Sequence, residues 1–477
     1  MNDYYVTTSI PYVNGEPHIG HALEFIMADV LARSARQKGL NTLYVTGSDE
    51  HGLKVAEKAA SLDMTPQAFA DKVSQQFREL GSQLNITNDR FIRTTDKLHV
   101  AGAQKLWKAL EKDIYKASYV GWYDVRQEEF VPENRADPER MNPDHPQAYR
   151  KLEEENYFFA LSKYTAPIRQ AIESGEFQVI PESRRNEVLS VLREGLEDIS
   201  ISRPKEKLEW GIPVPGDHSQ VMYVWFEALM NYLTVLEYPD GEDFKQYWPA
   251  STQVIGKDIL RFHAAIWPGM LMGLGLPLPK TLYVHGFINS GGEKMSKSIG
   301  NVVAPSEIIE TYGTDAFRYY FLRHIPSYDD GDFTWERFKA AYNNELANEL
   351  GNAVQRTMAM ILKYQNGLIG DLPANSHDRA PYDEALKLCK FDRALDHVWD
   401  QVRGVNQYID EEKPWMLAKE DDPEHLRSVL SYTVSSLLEI AELLVPFLPD
   451  TAEKIQAIFV EGIIRPSETT LFPKLED

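Results

Sequence analysis

The chain has 477 residues, with 72 Asp and Glu against 50 Lys and Arg, a net charge of -22 and 43% hydrophobic residues. That length asks for two or three domains, and the apolar fraction suits sizeable cores. The acidity argues against non-specific nucleic-acid binding, so any RNA contact must be a local surface. The single cysteine, Cys389, excludes an intrachain disulfide and a thiolate cluster for zinc, and the most apolar stretch, from Ile266 to Leu278, is broken by three glycines and two prolines, against a membrane helix.

The run Tyr4 to Ile10 is β-branched and aromatic and predicts a buried strand. A loop with Pro11, Gly15 and Pro17 follows, and helical period begins near Ala22, so His18, Gly20 and His21 open a helix directly after the first strand. Helix N-termini bind anions through free N–H groups and the helix dipole, and His18 and His21, three apart, share one face; Gly20 lets a bulky group approach. On this stretch alone, helix capping by the two histidines is an equal reading. Thr42 to Thr46 predicts a second strand ending at Gly47-Ser48-Asp49-Glu50-His51-Gly52, Thr65-Pro66 a helix start, and Phe91 to Arg93 a third strand.

The rhythm breaks from about 115 to 215, where 119–123 and 128–131 read as a hairpin, and we expect an insertion between two halves of a sheet. The sheet is expected to resume at Met222 to Trp225 and at Thr252 to Ile255. A strand-like run, Thr281 to Ile288, leads to Gly291-Gly292-Glu293-Lys294-Met295-Ser296-Lys297-Ser298, a mobile loop whose two ammonium groups can close over a polyphosphate. Helices are predicted over 306–312, closed by Gly313, and from 316 on. From about 338 to 461 nearly everything has helical period, with breaks near Gly367, Gly370 and Pro423, which predicts an all-α domain.

Pro17-His18-Ile19-Gly20-His21 followed at this separation by Lys294-Met295-Ser296-Lys297-Ser298 resembles the two signatures of class I aminoacyl-tRNA synthetases. Four further stretches, 9–15, 223–226, 255–263 and 408–415, narrow the resemblance to the methionyl-tRNA synthetase family, over essentially the whole chain. It implies an α/β fold: a Rossmann-type nucleotide-binding sheet interrupted by an insertion, then an all-α anticodon-binding helical bundle. The expected division is 1–114 and 216–290 for the two halves of the catalytic domain, 115–215 for the connective insertion, 291–337 for the lysine loop and linking helices, and 338–477 for the anticodon domain.

The implied reaction joins methionine to tRNA(Met) through a methionyl-adenylate, using ATP with Mg2+ and releasing pyrophosphate and AMP. A flexible, polarisable thioether wants aromatic edges, which Tyr12, Trp225, Tyr232, Phe262, His263 and Trp267 can supply, with Ile10 and Leu229 as apolar walls. Asp49 matches the family's carboxylate for the substrate ammonium. The resemblance assigns His18, His21, Lys294 and Lys297 to catalysis at the phosphates, and Gly20, Gly256, Asp258 and Arg203, with Lys297, to ATP. It assigns Asn352, Arg356 and Trp415 to the anticodon, where amide, guanidinium and indole suit unstacked bases. Many members hold zinc in the insertion through cysteines; Asp124, Gln127, Asn142 and His145 stand at those positions, so no zinc is expected. With no leader-like segment, no membrane helix and no appended dimerising module, a cytoplasmic monomer is expected.

Overall fold

The β-prone segments assemble into a parallel sheet of six strands: β1 (Asp3–Thr8), β2 (Asn41–Ser48), β3 (Arg90–Arg93), β4 (Gln178–Ile180), β5 (Thr252–Gly256) and β6 (Thr281–His285), in the order β3-β2-β1-β5-β6-β4. The structure is a computed structural model and describes residues 3–124, 129–131, 136–142, 145, 148–294, 302–373, 378–420, 422–459, 462–464 and 470–474. Val6 in β1 stands opposite Tyr44 in β2 and Thr252 in β5, both parallel. The strands that follow β1 in sequence build outward on one side and β5 and β6 on the other. The ends of β1 and β5 therefore flank a topological switch point, where parallel sheets take their ligands.

The chain divides into two compact units, Met1–Glu16 with Asn41–Glu79 and Asn88–Val284, and Pro17–Leu40 with Leu80–Thr87 and His285–Asp477. The first unit carries the sheet. Its core includes Tyr5, Val45, Ile92, Trp107, Phe226 and Trp267, each ring contributing on the order of 2 kcal/mol by leaving water. Trp107 stands edge-on to Phe226 and Tyr157 at 5.8 and 5.6 Å, the geometry aromatic quadrupoles favour. The expected hairpin forms, with Trp122 opposite Val131. It belongs to an antiparallel sheet whose longest pair joins Ile114–Asp124 to Arg150–Phe159.

Met222 to Trp225 is a correction. The strand Asp217–Met222 pairs antiparallel with Ser202–Pro204, outside the parallel sheet, and Tyr223 leads into a helix, Val224–Ala228. A short apolar run suits a buried helix as well as a strand. Here the apolar positions continue as Trp225, Leu229 and Tyr232, at helical spacing.

In the second unit, helix Ile19–Gln37 is joined by Pro305–Tyr312, Thr314–Arg323 and the long helices Asn352–Gln365, Phe391–Glu412 and Pro423–Leu444. The predicted breaks have local causes. Gly313 (φ 86°) follows Tyr312, Asn366 (φ 52°) ends a helix in the left-handed region, and Asp422 accepts a hydrogen bond from the His425 N–H with Pro423 at the first helical position.

Candidate active site

In the first unit the loop after β1 meets the end of β2. The Asp49 N–H donates to the Pro11 carbonyl and the Val13 N–H to the Asp49 carbonyl, both at 2.9 Å, which makes a parallel bridge between Tyr12 and Asp49. Asp49 is buried, and Ile10 is partly buried nearby. Gly47 is required: a Cβ there would lie 2.1 Å from the Ile92 carbonyl oxygen and 2.9 Å from Ile10. Glu50, the next residue, takes Arg93 in a two-pronged pair at 2.7 and 2.9 Å, and its N–H donates to Thr94. The position of Asp49 is thus fixed from both sides.

The predicted aromatics also meet in this unit. Trp225 and Phe262 stack at 4.0 Å with ring planes 17° apart. The Tyr232 hydroxyl lies 2.8 Å from His263 Nε2, and His263 Nδ1 lies 3.1 Å from the Ile259 carbonyl. A carbonyl only accepts, so Nδ1 carries the proton and Nε2 accepts from the tyrosine. Trp267 is fully buried, tilted against Tyr232 at 5.7 Å, and Leu229 is buried as well. Trp225 and Phe262 keep partial exposure, as residues lining a cleft would. Gly256 closes β5 beside the switch point, and Asp258 is exposed on the turn that follows.

Arg203 is buried with its guanidinium 2.9 Å from Glu154 and 4.5 Å from the Tyr123 ring centre. Burial opposes its charge, but Tyr123 and Glu154 outweigh this and raise its pKa. The zinc positions do not suit that metal. Asp124 is buried and paired with Arg140 at 2.7 Å, Arg140 also covers the Tyr149 ring, and Gln127 lies outside the described residues. An aspartate holding a guanidinium, with an amide and one imidazole as companions, is no tetrahedral thiolate set.

In the second unit the two signature histidines build the start of helix Ile19–Gln37. His18 Nδ1 accepts from the Gly20 N–H at 3.1 Å, and His21 Nδ1 accepts from the His18 N–H at 3.2 Å, a reciprocal capping box. The capping reading and the phosphate reading are therefore compatible. Each Nδ1 spent as an acceptor fixes the neutral tautomer with its proton on Nε2, a donor suited to an anion. Burial, with His18 and His285 next to it, holds His21 well below the usual imidazole pKa. The rings stack at 3.8 Å, and a Cβ on Gly20 would sit 2.9 Å from His18 Cε1. The group that needs Gly20 to be small is thus the His18 ring itself.

The sequence reading missed Glu24 and His285. His285 Nε2 lies 3.0 Å from Glu24 Oε2, one turn beyond His21, and its Nδ1 lies 2.8 Å from the Gly286 carbonyl. A histidine inside the predicted strand Thr281 to Ile288, where the observed strand ends, was the available signal. Gly291 (φ 65°) and Gly292 (φ 82°) form a tight hairpin turn with Ser290 opposite Glu293, rather than a flexible lead-in. Lys294 lies in the returning strand opposite Asn289, and Lys297 lies outside the described residues.

Farther along the second unit, Arg356 pairs with Asp410 at 2.6 Å and lies 5.9 Å from the centre of the Trp415 ring. Trp415 is partly exposed, just after buried Pro414, and Asn352 is exposed one turn before Arg356. The three predicted base-reading residues thus share one region of the helical bundle.

The family described as tRNA synthetases class I (M) matches residues 4–139 and 139–358. The methionine–tRNA ligase of Brucella suis is 42% identical, over 95% of this chain and 90% of its own. That of Thermotoga maritima is 39% identical, over 98% and 79%. The solved structure of Mycobacterium tuberculosis methionyl-tRNA synthetase with methionyl-adenylate superposes with a TM-score of 0.93 at 37% identity, over 99% of this chain and 100% of that one. With the switch-point crevice, the histidine-capped helix and the helical bundle, these likenesses show that the chain belongs to the methionyl-tRNA synthetase family of class I aminoacyl-tRNA synthetases.

Proposed function

We propose that the crevice around Tyr12 and Asp49 holds methionine for the reaction of this family. The chain activates methionine with ATP to methionyl-adenylate and transfers the methionyl group to tRNA. Asp49 receives the ammonium, and Tyr12, Trp225, Tyr232, Phe262, His263 and Trp267 surround the thioether with Ile10 and Leu229. The observation that carries this is the backbone bridge between Tyr12 and Asp49, which sets a buried carboxylate at the switch point.

For the first step, the methionine carboxylate attacks the α-phosphorus and pyrophosphate leaves. The chemistry is mainly positioning and charge stabilisation. His18 and His21 donate Nε2–H to phosphate oxygens, Lys294 and Lys297 neutralise the leaving pyrophosphate, and Gly256 and Asp258 hold the ribose. Gly20 contributes by letting the His18 ring lie flat. Arg203, which places one guanidinium N–H on Glu154 at 2.9 Å, is proposed for the ATP side as well. Mg2+ enters with the ATP phosphates, whose oxygens suit a hard cation. We further infer the division at 115, 216, 291 and 338, tRNA(Met) as the acceptor, and a monomer working in the cytoplasm.

In the second step a terminal tRNA hydroxyl attacks the adenylate carbonyl and AMP leaves. Asn352, Arg356 and Trp415 read the anticodon, with Trp415 as a stacking platform. Removing such an aromatic costs about 1–3 kcal/mol per base. Trp415→Ala is therefore expected to slow tRNA aminoacylation by about ten- to a hundredfold and leave pyrophosphate exchange near normal, since exchange needs no tRNA. Running both assays on one preparation checks this; equal loss in both would assign Trp415 to folding instead.

A further inference from the structure

Behind the methionine crevice, inside the first unit, lies a chain of buried polar groups that the steps above do not use. Glu227 is fully buried, and its two oxygens are both engaged: Oε1 lies 2.8 Å from His51 Nδ1 and Oε2 lies 2.8 Å from His99 Nε2. His99 Nδ1 in turn lies 2.8 Å from the Thr234 hydroxyl. His99 Nε2–H and His51 Nδ1–H donate to an ionised Glu227, and the Thr234 hydroxyl, also 3.3 Å from the Asn231 carbonyl, closes the His99 end. Burial pushes the Glu227 carboxyl up, but His51 and His99 outweigh it and hold it below the usual carboxylate range.

The position of Glu227 is what gives the chain a use. Glu227 is two residues from Trp225 on the helix Val224–Ala228, about 200° around the axis, so one residue faces inward while the other lines the crevice. His51 is two residues from Asp49, on the loop that leaves β2. The Glu227–His51 bond therefore ties the segment bearing the ammonium carboxylate to the helix bearing the thioether-side indole. The other end is equally rigid. Helix Lys97–Ala109 approaches Thr234 so closely that a Cβ on Gly102 would lie 2.5 Å from Thr234 Cγ2. His51 is also held from outside by Trp210, whose ring centre is 5.3 Å away and whose indole N–H donates to the Glu50 carbonyl at 2.6 Å.

We propose that Glu227 is a positioning residue for methionine, setting the spacing between Asp49 and Trp225 through His51 and His99. The inference rests on the assignment of Asp49 and Trp225 to methionine. An unpaired buried partner costs enough to change an equilibrium by about ten- to a hundredfold. Glu227→Ala should thus raise the methionine KM in pyrophosphate exchange by about that factor, with kcat and the ATP KM within about threefold. Glu227→Gln should recover most of the methionine KM. Its amide can accept from one imidazole and donate to the other once His51 changes tautomer, so both links survive.

His51→Ala, at the less buried end, should show the same split and decides the matter if Glu227→Ala does not fold. An equal rise in both KM values, no change in either, or no recovery with Gln would overturn the role. Asp49→Asn is run beside them. If it leaves the methionine KM unchanged, the assignment of Asp49 fails; if it raises that KM while Glu227→Ala and His51→Ala do not, only the positioning role fails.

Discussion

Replacing His21 with asparagine is expected to slow formation of methionyl-adenylate by about 10²–10³-fold, the effect of losing one donor aimed at developing charge. His21 Nδ1 is spent on the His18 N–H, so the proton sits on Nε2, and the role proposed for the ring is that of a neutral donor to phosphate. Asparagine can still accept from that N–H but is too short to present a donor at the same place. The structural part of the loss is then a fraction of one cap, about 1 kcal/mol at most. Single-turnover adenylation and thermal unfolding on the same variant separate the two, and a stability loss large enough to explain the rate would refute the donor role.

A pH dependence follows with a definite sign. The folded-state pKa of His21 is depressed, chiefly by burial. Between that value and the unfolded value of about 6.5 the unfolded chain binds the extra proton. His21 therefore costs the fold stability as the pH drops below about 6.5 and costs nothing above it. His21→Asn should lessen the acid loss.

The largest effect on stability is expected at Arg318. This guanidinium is fully buried and satisfies four partners within the second unit: Asp29 at 2.8 Å and the carbonyls of Phe447, Pro446 and Leu84 at 2.7, 2.8 and 3.1 Å. Asp29, also fully buried, accepts Arg33 at 2.7 Å and the Thr87 N–H at 2.8 Å. The hub thus joins the helix with the signature histidines to helix Thr314–Arg323 and to the end of Pro423–Leu444. Arg318→Met keeps the volume but strands three carbonyls and half-unpairs Asp29. Breaking a buried pair in this way costs about 3–5 kcal/mol. Denaturant unfolding followed by a probe in the helical bundle should show an early transition. Arg318→Lys, which keeps the charge but not the fork, should recover part of it; a midpoint unchanged in Arg318→Met would contradict the hub.

Arg318 also shows what the sequence could not reveal. Its partners lie 128 to 289 positions away in the chain, and nothing local marks it as buried. The same holds for Glu227, whose histidines are 176 and 128 residues distant. Local patterns were legible: the β-branched run before Ile10, the capping residue and proline at Thr65-Pro66, and the helix stop at Gly313. Met222 to Trp225 misled because four apolar residues do not distinguish a strand from the start of a buried helix. β4 escaped notice because three residues carry too little period to register. At the site, residues within recognisable strings were found, while Glu24 and His285, separated by 261 positions, become partners only in the fold.

The central claim is that the aromatic crevice at the β1–β5 switch point selects methionine for activation. The most direct measurement is amino-acid-dependent pyrophosphate exchange with ATP across a panel including methionine, leucine, isoleucine and valine. Methionine should support exchange, and each of the others should be slower in kcat/KM by about a hundredfold or more, since shape and sulfur contacts together must exceed what one methylene supplies. Exchange as fast with another amino acid, or none with methionine, would contradict the account.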